Sequence, residues 1–229
     1  MATIFPSRDN FLRSLSEVQR ILRRARGSRS ITAEYNICIK SALLFLVAKF
    51  EAFLEDVISE YVQVVENTGL CPSELPDVLK LHCADNLIDE KFISDLRHHR
   101  LSALRTIERV SKLCVGEDSV TSLDLDKTFD YGRHGQKAIV RLFSRIGITD
   151  VFEACPIFEY IQTITGRVRV AVNIQGDINA LTNYRNTILH DDVTPSVTHQ
   201  QIRDYQKHLV QFSNRLTRVL DDRVSRIVH

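Results

Sequence analysis

The sequence has little of what turn-rich and disulfide-bonded folds require. Its 229 residues include only 8 glycines and 5 prolines, which favours helices over an all-β fold with many tight turns. Its 5 cysteines are scattered, with no C-x-x-C pair and no spacing to histidine that is typical of a zinc site. This odd number indicates reduced thiols in a cytoplasmic protein, and we expect no bound metal.

Neither the overall charge nor any apolar segment assigns the chain to a nucleic acid or a membrane. The net charge is +1, so any nucleic-acid binding must depend on a local basic patch. The longest apolar run, Ala42–Ala48, is far too short to cross a bilayer, and residues 1–10 contain no signal-peptide core. Since glycine-rich phosphate loops, G-x-S-x-G and H-E-x-x-H are also absent, we expect no cofactor.

Two long amphipathic segments predict the core of an all-α fold. Residues 32–66 carry a broad apolar band at helical spacing, which is typical of the central helix of a bundle. A last helix opens at Thr198, which together with Gln201 fits a capping box. The apolar stripe of this helix repeats at spacings of three and four and comprises Ile202, Tyr205, Leu209, Phe212, Leu216 and Val219. The stripe either closes the bundle or forms part of a homodimer seam.

The other segments are predicted to belong to the same single domain, residues 1–229. Residues 1–30 form a basic helix capped by Ser7, whose arginines either track an RNA backbone or are simply solvated. Residues 67–135 form an insert of short helices between the core helices. We expect a further helix from Asp150 to about Thr165. Residues 166–176 are predicted to be a loop or helix lead-in, because a lone strand has nothing to pair with.

The stretch 184–192, Y-R-N-T-I-L-H-D-D, brings charged, amide and imidazole side chains to the end of a helix that begins near Asp177. Arg185 falls on the apolar stripe of this helix, where a guanidinium is costly unless a carboxylate, a carbonyl or an anion satisfies it. Asn186 and His190 are about one turn apart. A guanidinium and a titratable imidazole at one helix end are suited to holding a phosphate and moving a proton. Alternatively, His190 caps free carbonyls and Arg185 extends to solvent.

Glu51 interrupts the apolar band of the long helix. Its helical neighbours Val47, Ala48 and Leu54 are apolar, so we expect a semi-buried carboxylate that needs a partner. Arg185 is the candidate partner, and a partner-free glutamate at the rim of the core is the alternative.

The sequence R-N-x-x-x-H at Arg185–His190 resembles the R-x4–6-H motif of the HEPN superfamily, a group of all-α domains that includes many metal-independent ribonucleases. Residues 42–54, ALLFLVAKFEAFL, are similar to the first core helix of RiboL-PSP-like and MAE-like HEPN proteins. The spacing between the two parts and the helix that follows the histidine also agree, so the resemblance covers residues 32 to about 220. It implies an all-α, HEPN-like helical bundle with an elaborated helical insert.

The resemblance further implies an RNA substrate and a composite site that two subunits of a homodimer share. In such nucleases the RNA 2′-hydroxyl attacks the adjacent phosphorus without a metal, leaving 2′,3′-cyclic phosphate and 5′-hydroxyl ends. Arg185 and His190 would be catalytic, the imidazole as base and acid and the guanidinium against the phosphorane charge. Asn186, Asp191 and Glu51 are supporting candidates: Asn186 orients His190 or the phosphate, and Asp191 fixes the imidazole tautomer.

Three functions are compatible with these residues. The first is a HEPN endoribonuclease, a toxin or antiviral-defence effector that an antitoxin or regulatory protein keeps in check. The second is a non-catalytic HEPN module that binds RNA or docks a partner. The third is a helical scaffold in which the motif is coincidental. The presence of both Arg185 and His190 favours the first, because a degenerate member would tolerate the loss of either residue.

Overall fold

The computed structural model describes residues 5–28, 32–129, 135–164 and 166–228. Residues 1–4 and 29–31, which contain both ends of the predicted basic segment, lie outside these ranges, as do residues 130–134 of the predicted insert. Within the described ranges the chain forms nine α-helices, one 3-10 turn and two short strands. The prediction of an all-α bundle is therefore confirmed, apart from one small hairpin.

The helices, in chain order, are α1 (Pro6–Gly27), α2 (Thr32–Asn67), α3 (Asp77–Leu87), α4 (Glu90–Arg97), α5 (Leu101–Val115), α6 (Gln136–Ser144), α7 (Val151–Ala154), α8 (Ile174–Asp191) and α9 (His199–Val228). The 3-10 turn is Pro72–Glu74, and the strands β1 (Phe158–Thr163) and β2 (Gly166–Ala171) lie between α7 and α8.

The two longest helices form the centre of the bundle. Helices α2 and α9 pack against each other, and α1 and α8 each contact both of them, so α1 and α8 lie on opposite sides of the central pair. The α9 stripe is turned inward: Ile202, Leu209, Phe212 and Leu216 are fully buried within one chain. The stripe therefore closes the bundle, which decides between the two alternatives that the sequence left open.

The two terminal helices of the bundle start in different ways. At α9 the predicted capping box is confirmed, since Thr198 Oγ1 accepts from the Gln201 amide at 3.2 Å and Gln201 Oε1 accepts from the Thr198 amide at 2.8 Å. At α1 the predicted Ser7 cap is wrong. Pro6 begins the helix, and the Ser7 amide and hydroxyl donate to the Glu60 carboxylate of α2 at 2.7 and 2.6 Å. Proline suits the first helical position because its φ is preset.

The helix predicted from Asp150 to about Thr165 is wrong beyond Ala154. Residues 158–163 form β1, which pairs antiparallel with β2, Phe158 opposite Ala171 and Thr163 opposite Gly166. The loop predicted at residues 166–176 is wrong for the same reason, because the strand finds its partner in the segment directly before it. Gly166 allows the turn with φ +127, a conformation that other residues rarely adopt.

A buried histidine fastens the hairpin to the bundle. His208 of α9 is 8% exposed, and its Nδ1 lies 2.6 Å from Asp177 Oδ2 at the start of α8. Its Nε2 lies 3.2 Å from Glu159 Oε1 of β1, a close contact that lacks hydrogen-bond geometry. Lys207 also pairs with Glu159. The hairpin, α8 and α9 therefore meet at one polar cluster.

The predicted insert lies against the C-terminal half of α2. Two carboxylates of α2 accept from its backbone: Glu66 from the Leu123 amide and Glu55 from the Phe129 amide, each at 2.7 Å. Helices α3, α4 and α5 are the short helices predicted in this region. That residues 67–135 are an insert within one domain stays a prediction.

In the described ranges, no helix combines the length and the apolar character needed to cross a membrane.

We predict that Leu209→Ala lowers the free energy of unfolding by about 2–5 kcal/mol, because it leaves a cavity in the centre of the bundle. The loss is expected to be independent of protein concentration in urea unfolding, since Leu209 packs within one chain. The matched control Leu101→Ala, at a residue 73% exposed, is expected to change stability by less than about 0.5 kcal/mol. A concentration-dependent loss for Leu209→Ala would instead assign this stripe to a subunit seam.

Candidate functional site

Helix α8 places the R-N-x-x-x-H motif at its C-terminal end. The helix begins earlier than predicted, because Asn173 caps it by accepting from the Gly176 amide at 3.0 Å, and Asp177 lies in the first turn instead. Ile178, Leu181 and Ile188 are buried and hold this side of α8 against the bundle. That packing fixes the directions in which the intervening polar side chains point.

Arg185 is half-buried on α8, as its place in the apolar stripe predicted. Its Nη1 donates to Asn186 Oδ1 at 3.3 Å, so the amide next to it in sequence holds the guanidinium. No ion pair to Arg185 is found among the described residues. An incompletely satisfied guanidinium at a helix end is able to bind an anion.

Glu51 lies on the facing side of α2 and is 6% exposed. Burial raises the pKa of this carboxyl to about 7, the charge of Arg185 opposes the rise, and Glu55 adds to it. The structure thus brings Glu51 and Arg185 close enough to interact through their charges, as the sequence suggested for this pair. Near neutral pH the carboxyl is only partly ionised, so it neutralises Arg185 incompletely.

His190 is exposed in the last turn of α8. The structure gives its ring no hydrogen bond to any of the described residues, and it gives Arg185 none to the ring. Asp191, predicted to fix the imidazole tautomer, is exposed and likewise makes no hydrogen bond to the ring within the described ranges. In one chain, therefore, the imidazole is free to meet a ligand, and the guanidinium lies apart from it.

The residue after Asp191 was missed by sequence reasoning. Asp192 ends α8 in the left-handed conformation, with φ 52, and its carboxylate is 2.7 Å from Lys40 Nζ of α2. The Lys40 hydrogen bond and charge lower the pKa of Asp192. This pair fastens the end of α8, and hence the backbone of His190, to α2. The only signal in the sequence was the Asp191-Asp192 doublet, which does not identify which carboxylate is held.

A small cavity lies deeper between α2 and α8. It has a volume of about 20 Å³, enough for about one water molecule. Its lining includes Glu51, Phe129, Gly135 and Thr182. A water molecule here would have a carboxyl group and a hydroxyl group as partners, which suits a structural role beside the Glu51–Arg185 pair better than ligand binding.

The family model described as HEPN_MAE_28990-like HEPN matches residues 2–227, which is nearly the whole chain. The chain therefore belongs to this HEPN family. The comparison with curated proteins and the comparison with solved structures each gave no match.

We predict that Glu51→Gln removes a pH dependence of folding stability. Because the folded-state pKa of about 7 lies above the ordinary 4.5, stability from this group is complete below pH 4.5 and is lost as the pH rises to about 7. At pH 8 the variant should exceed the wild type by at most about 3 kcal/mol.

The measurement is urea unfolding of both proteins between pH 4 and 8. The exposed control Glu117→Gln should run parallel to the wild type throughout. A constant difference between Glu51→Gln and the wild type across this range would mean that Glu51 is not the titrating group.

Proposed function

We propose that the chain is a metal-independent endoribonuclease of the HEPN type, which cleaves RNA by attack of the 2′-hydroxyl on the adjacent phosphorus. The observation that carries the proposal is the end of α8, where an exposed imidazole, His190, follows a half-buried guanidinium, Arg185. The family to which the chain belongs supports it, since HEPN domains are often ribonucleases.

Each of the two side chains suits one chemical requirement of this reaction. His190 is an exposed imidazole, so in its neutral form it can take the proton of the 2′-hydroxyl, and a protonated copy can give one to the leaving 5′-oxygen. Arg185 stays charged and can bind the non-bridging oxygens, whose negative charge grows in the transition state. Partial protonation of Glu51 near neutral pH leaves that charge available to the phosphate.

The separation of the two side chains within one chain favours a site completed by a second copy. Five residues on an α-helix correspond to about 7.5 Å along the axis and about 140° around it, so Arg185 and His190 leave α8 in different directions. Around a two-fold axis, the imidazole of one protomer can approach the guanidinium of its partner. RNA would then bind in the cleft between two α8 ends.

An apolar surface on α2 supports the same dimer. We call it the outer face of α2; its members share one side of that helix and comprise Ile37, Leu44, Phe45, Ala48 and Ala52. Ile37 is 64% and Phe45 47% exposed, and at the adjoining end of α8 Leu189 is 53% exposed. Large apolar side chains clustered on a surface are typical of protein interfaces.

The runner-up is a non-catalytic HEPN module that binds RNA or docks a partner through the same residues. It shares the dimer and the phosphate site but makes no use of proton transfer by His190. A role as a toxin or antiviral-defence effector, controlled by an antitoxin or regulatory protein, remains a prediction from the resemblance.

We predict that His190→Ala and Arg185→Ala each reduce RNA cleavage by at least about 100-fold, because each removes one element of transition-state stabilisation. The assay contains EDTA, and the product ends are identified as 2′,3′-cyclic phosphate and 5′-hydroxyl. His98→Ala and Arg105→Ala, at exposed positions in the predicted insert, serve as matched controls with wild-type activity. RNA binding without cleavage by the wild type would select the runner-up, and cleavage that EDTA abolishes would contradict the metal-independent mechanism.

We also predict that Phe45→Glu converts a dimer into a monomer and abolishes cleavage while leaving the helical fold intact, since it puts a charge into an apolar contact. Sedimentation velocity gives the oligomeric state and circular dichroism the helix content. Leu101→Glu, a matched change at another exposed apolar residue, should leave both properties unchanged. A fully active monomeric Phe45→Glu protein would show that one chain holds a complete site.

A further inference from the structure

A second polar surface lies on the side of the bundle away from α8. We call it the α1/α9 groove; its lining residues are Gln19, Arg23, Arg203, Gln206, Lys207 and Val210. Its volume is about 620 Å³, far larger than the cavity beside Glu51. Because α1 and α8 lie on opposite sides of the α2–α9 pair, the groove is separate from the Arg185–His190 site.

The cationic side chains of the groove are largely unneutralised. Within the described ranges, neither Arg23 nor Arg203 forms an ion pair, and only Lys207 is paired, with Glu159 of β1. Arg26 follows Arg23 on the same face of α1 at helical spacing. Free guanidinium groups in a row attract a polyanion and can donate to its phosphate oxygens.

Gln206 adds an amide to the wall of the groove. The residue is 7% exposed, and its amide is not a buried unsatisfied group, since among the described buried side-chain atoms only His208 Nε2 lacks a hydrogen-bond partner. An amide at the wall of a basic groove can donate to a phosphate oxygen, as glutamine side chains do on nucleic-acid backbones.

The shape and lining of the groove favour a nucleic-acid backbone over a free nucleotide. Among the described residues, the lining of the groove includes no aromatic ring on which a base could stack, and its apolar contribution is Val210. A phosphate backbone, which needs only charged and polar contacts, suits this lining better than a nucleotide, whose base would need a ring on which to stack.

The basic end of the groove opens toward the end of the bundle that carries the motif. Arg203 lies in the second turn of α9, and residues 192–198 alone connect α9 to the end of α8. At this same end Lys40 of α2 holds Asp192. A strand that leaves the groove past Arg203 therefore reaches the side of the molecule where His190 is exposed.

We propose that the α1/α9 groove binds the phosphate backbone of an RNA strand, without sequence preference, and leads the strand toward the Arg185–His190 site. The delivery of the strand to the Arg185–His190 site rests on the proposed function, since it has a purpose only if the chain cleaves RNA. The binding itself depends only on Arg23, Arg203, Gln206 and their neighbours.

The test is fluorescence anisotropy with a labelled, mixed-sequence 2′-O-methyl RNA, which cannot be cleaved because it lacks the free 2′-hydroxyl. Arg23→Ala/Arg203→Ala should weaken binding by at least about tenfold, and it should reduce the slope of log Kd against log salt by about 1.4, since each single-strand phosphate contact contributes about 0.7. Arg97→Ala/Arg105→Ala removes two arginines from the predicted insert and should leave both quantities unchanged. Arg23→Lys/Arg203→Lys should retain most of the salt slope.

Each outcome separates this inference from the nuclease proposal. Loss of binding by the groove variant supports the groove even when the wild type cleaves no RNA. Equal affinity and salt slope for the folded groove variant and the wild type would overturn the inference, as would failure of the wild type to bind this RNA. Poly-glutamate serves as a second probe, which stands for an acidic protein. If the groove variant loses binding to poly-glutamate but binds RNA as the wild type does, the inference is also overturned, because the groove would then bind an acidic protein. Conversely, cleavage of a dinucleotide by the groove variant at the wild-type rate would leave the nuclease proposal standing.

Discussion

The mutual burial of α2 and α9 is the constraint on which the rest of the structure depends. Each helix turns a continuous apolar stripe toward the other, so α1 and α8 must pack into the two flanking grooves. This arrangement places Glu51, on the edge of the α2 stripe, opposite Arg185, on the edge of the α8 stripe. A carboxyl group with a raised pKa beside a half-buried guanidinium is thus a direct result of packing. The protein tolerates the cost of burying these two ionisable groups at the helix end that carries the R-N-x-x-x-H sequence.

Much of the fold could be predicted from periodicity, because the bundle helices are long and strongly amphipathic. Helix α2 was predicted within one residue at its end, and α9 at its cap. The hairpin could not be predicted in this way. Residues 158–163 mix apolar and polar side chains in a pattern that short helices share, and the Ile-Thr sequence before Gly166 is not one of the dipeptides that signal a hairpin turn. The Ser7 cap failed because the serine binds Glu60, a residue far away in sequence.

The burial and charge interactions of the candidate site residues were predictable from the sequence, but their hydrogen-bond and ion-pair partners were less so. The half-burial of Arg185 and its charge interaction with Glu51 follow from the apolar stripes, which the sequence displays. Which side chains hold the end of α8 does not follow. Asp191 and Asp192 are adjacent and chemically identical, and only the left-handed conformation of Asp192 directs its carboxylate to Lys40. Likewise, the partner of Asn186 depends on rotamers of adjacent residues that no spacing rule determines.

The attachment of the residue 67–135 region to the C-terminal half of α2 has an evolutionary consequence. Its anchors, Glu55 and Glu66 of α2, are separated from Lys40, beside the motif, by up to about 39 Å along one continuous helix. Additions or deletions in this region would lengthen or shorten the molecule at one end without moving His190 at the other. The surfaces of this region, including the exposed Leu81, Leu101 and Leu104, can therefore vary in sequence without changing the end of α8.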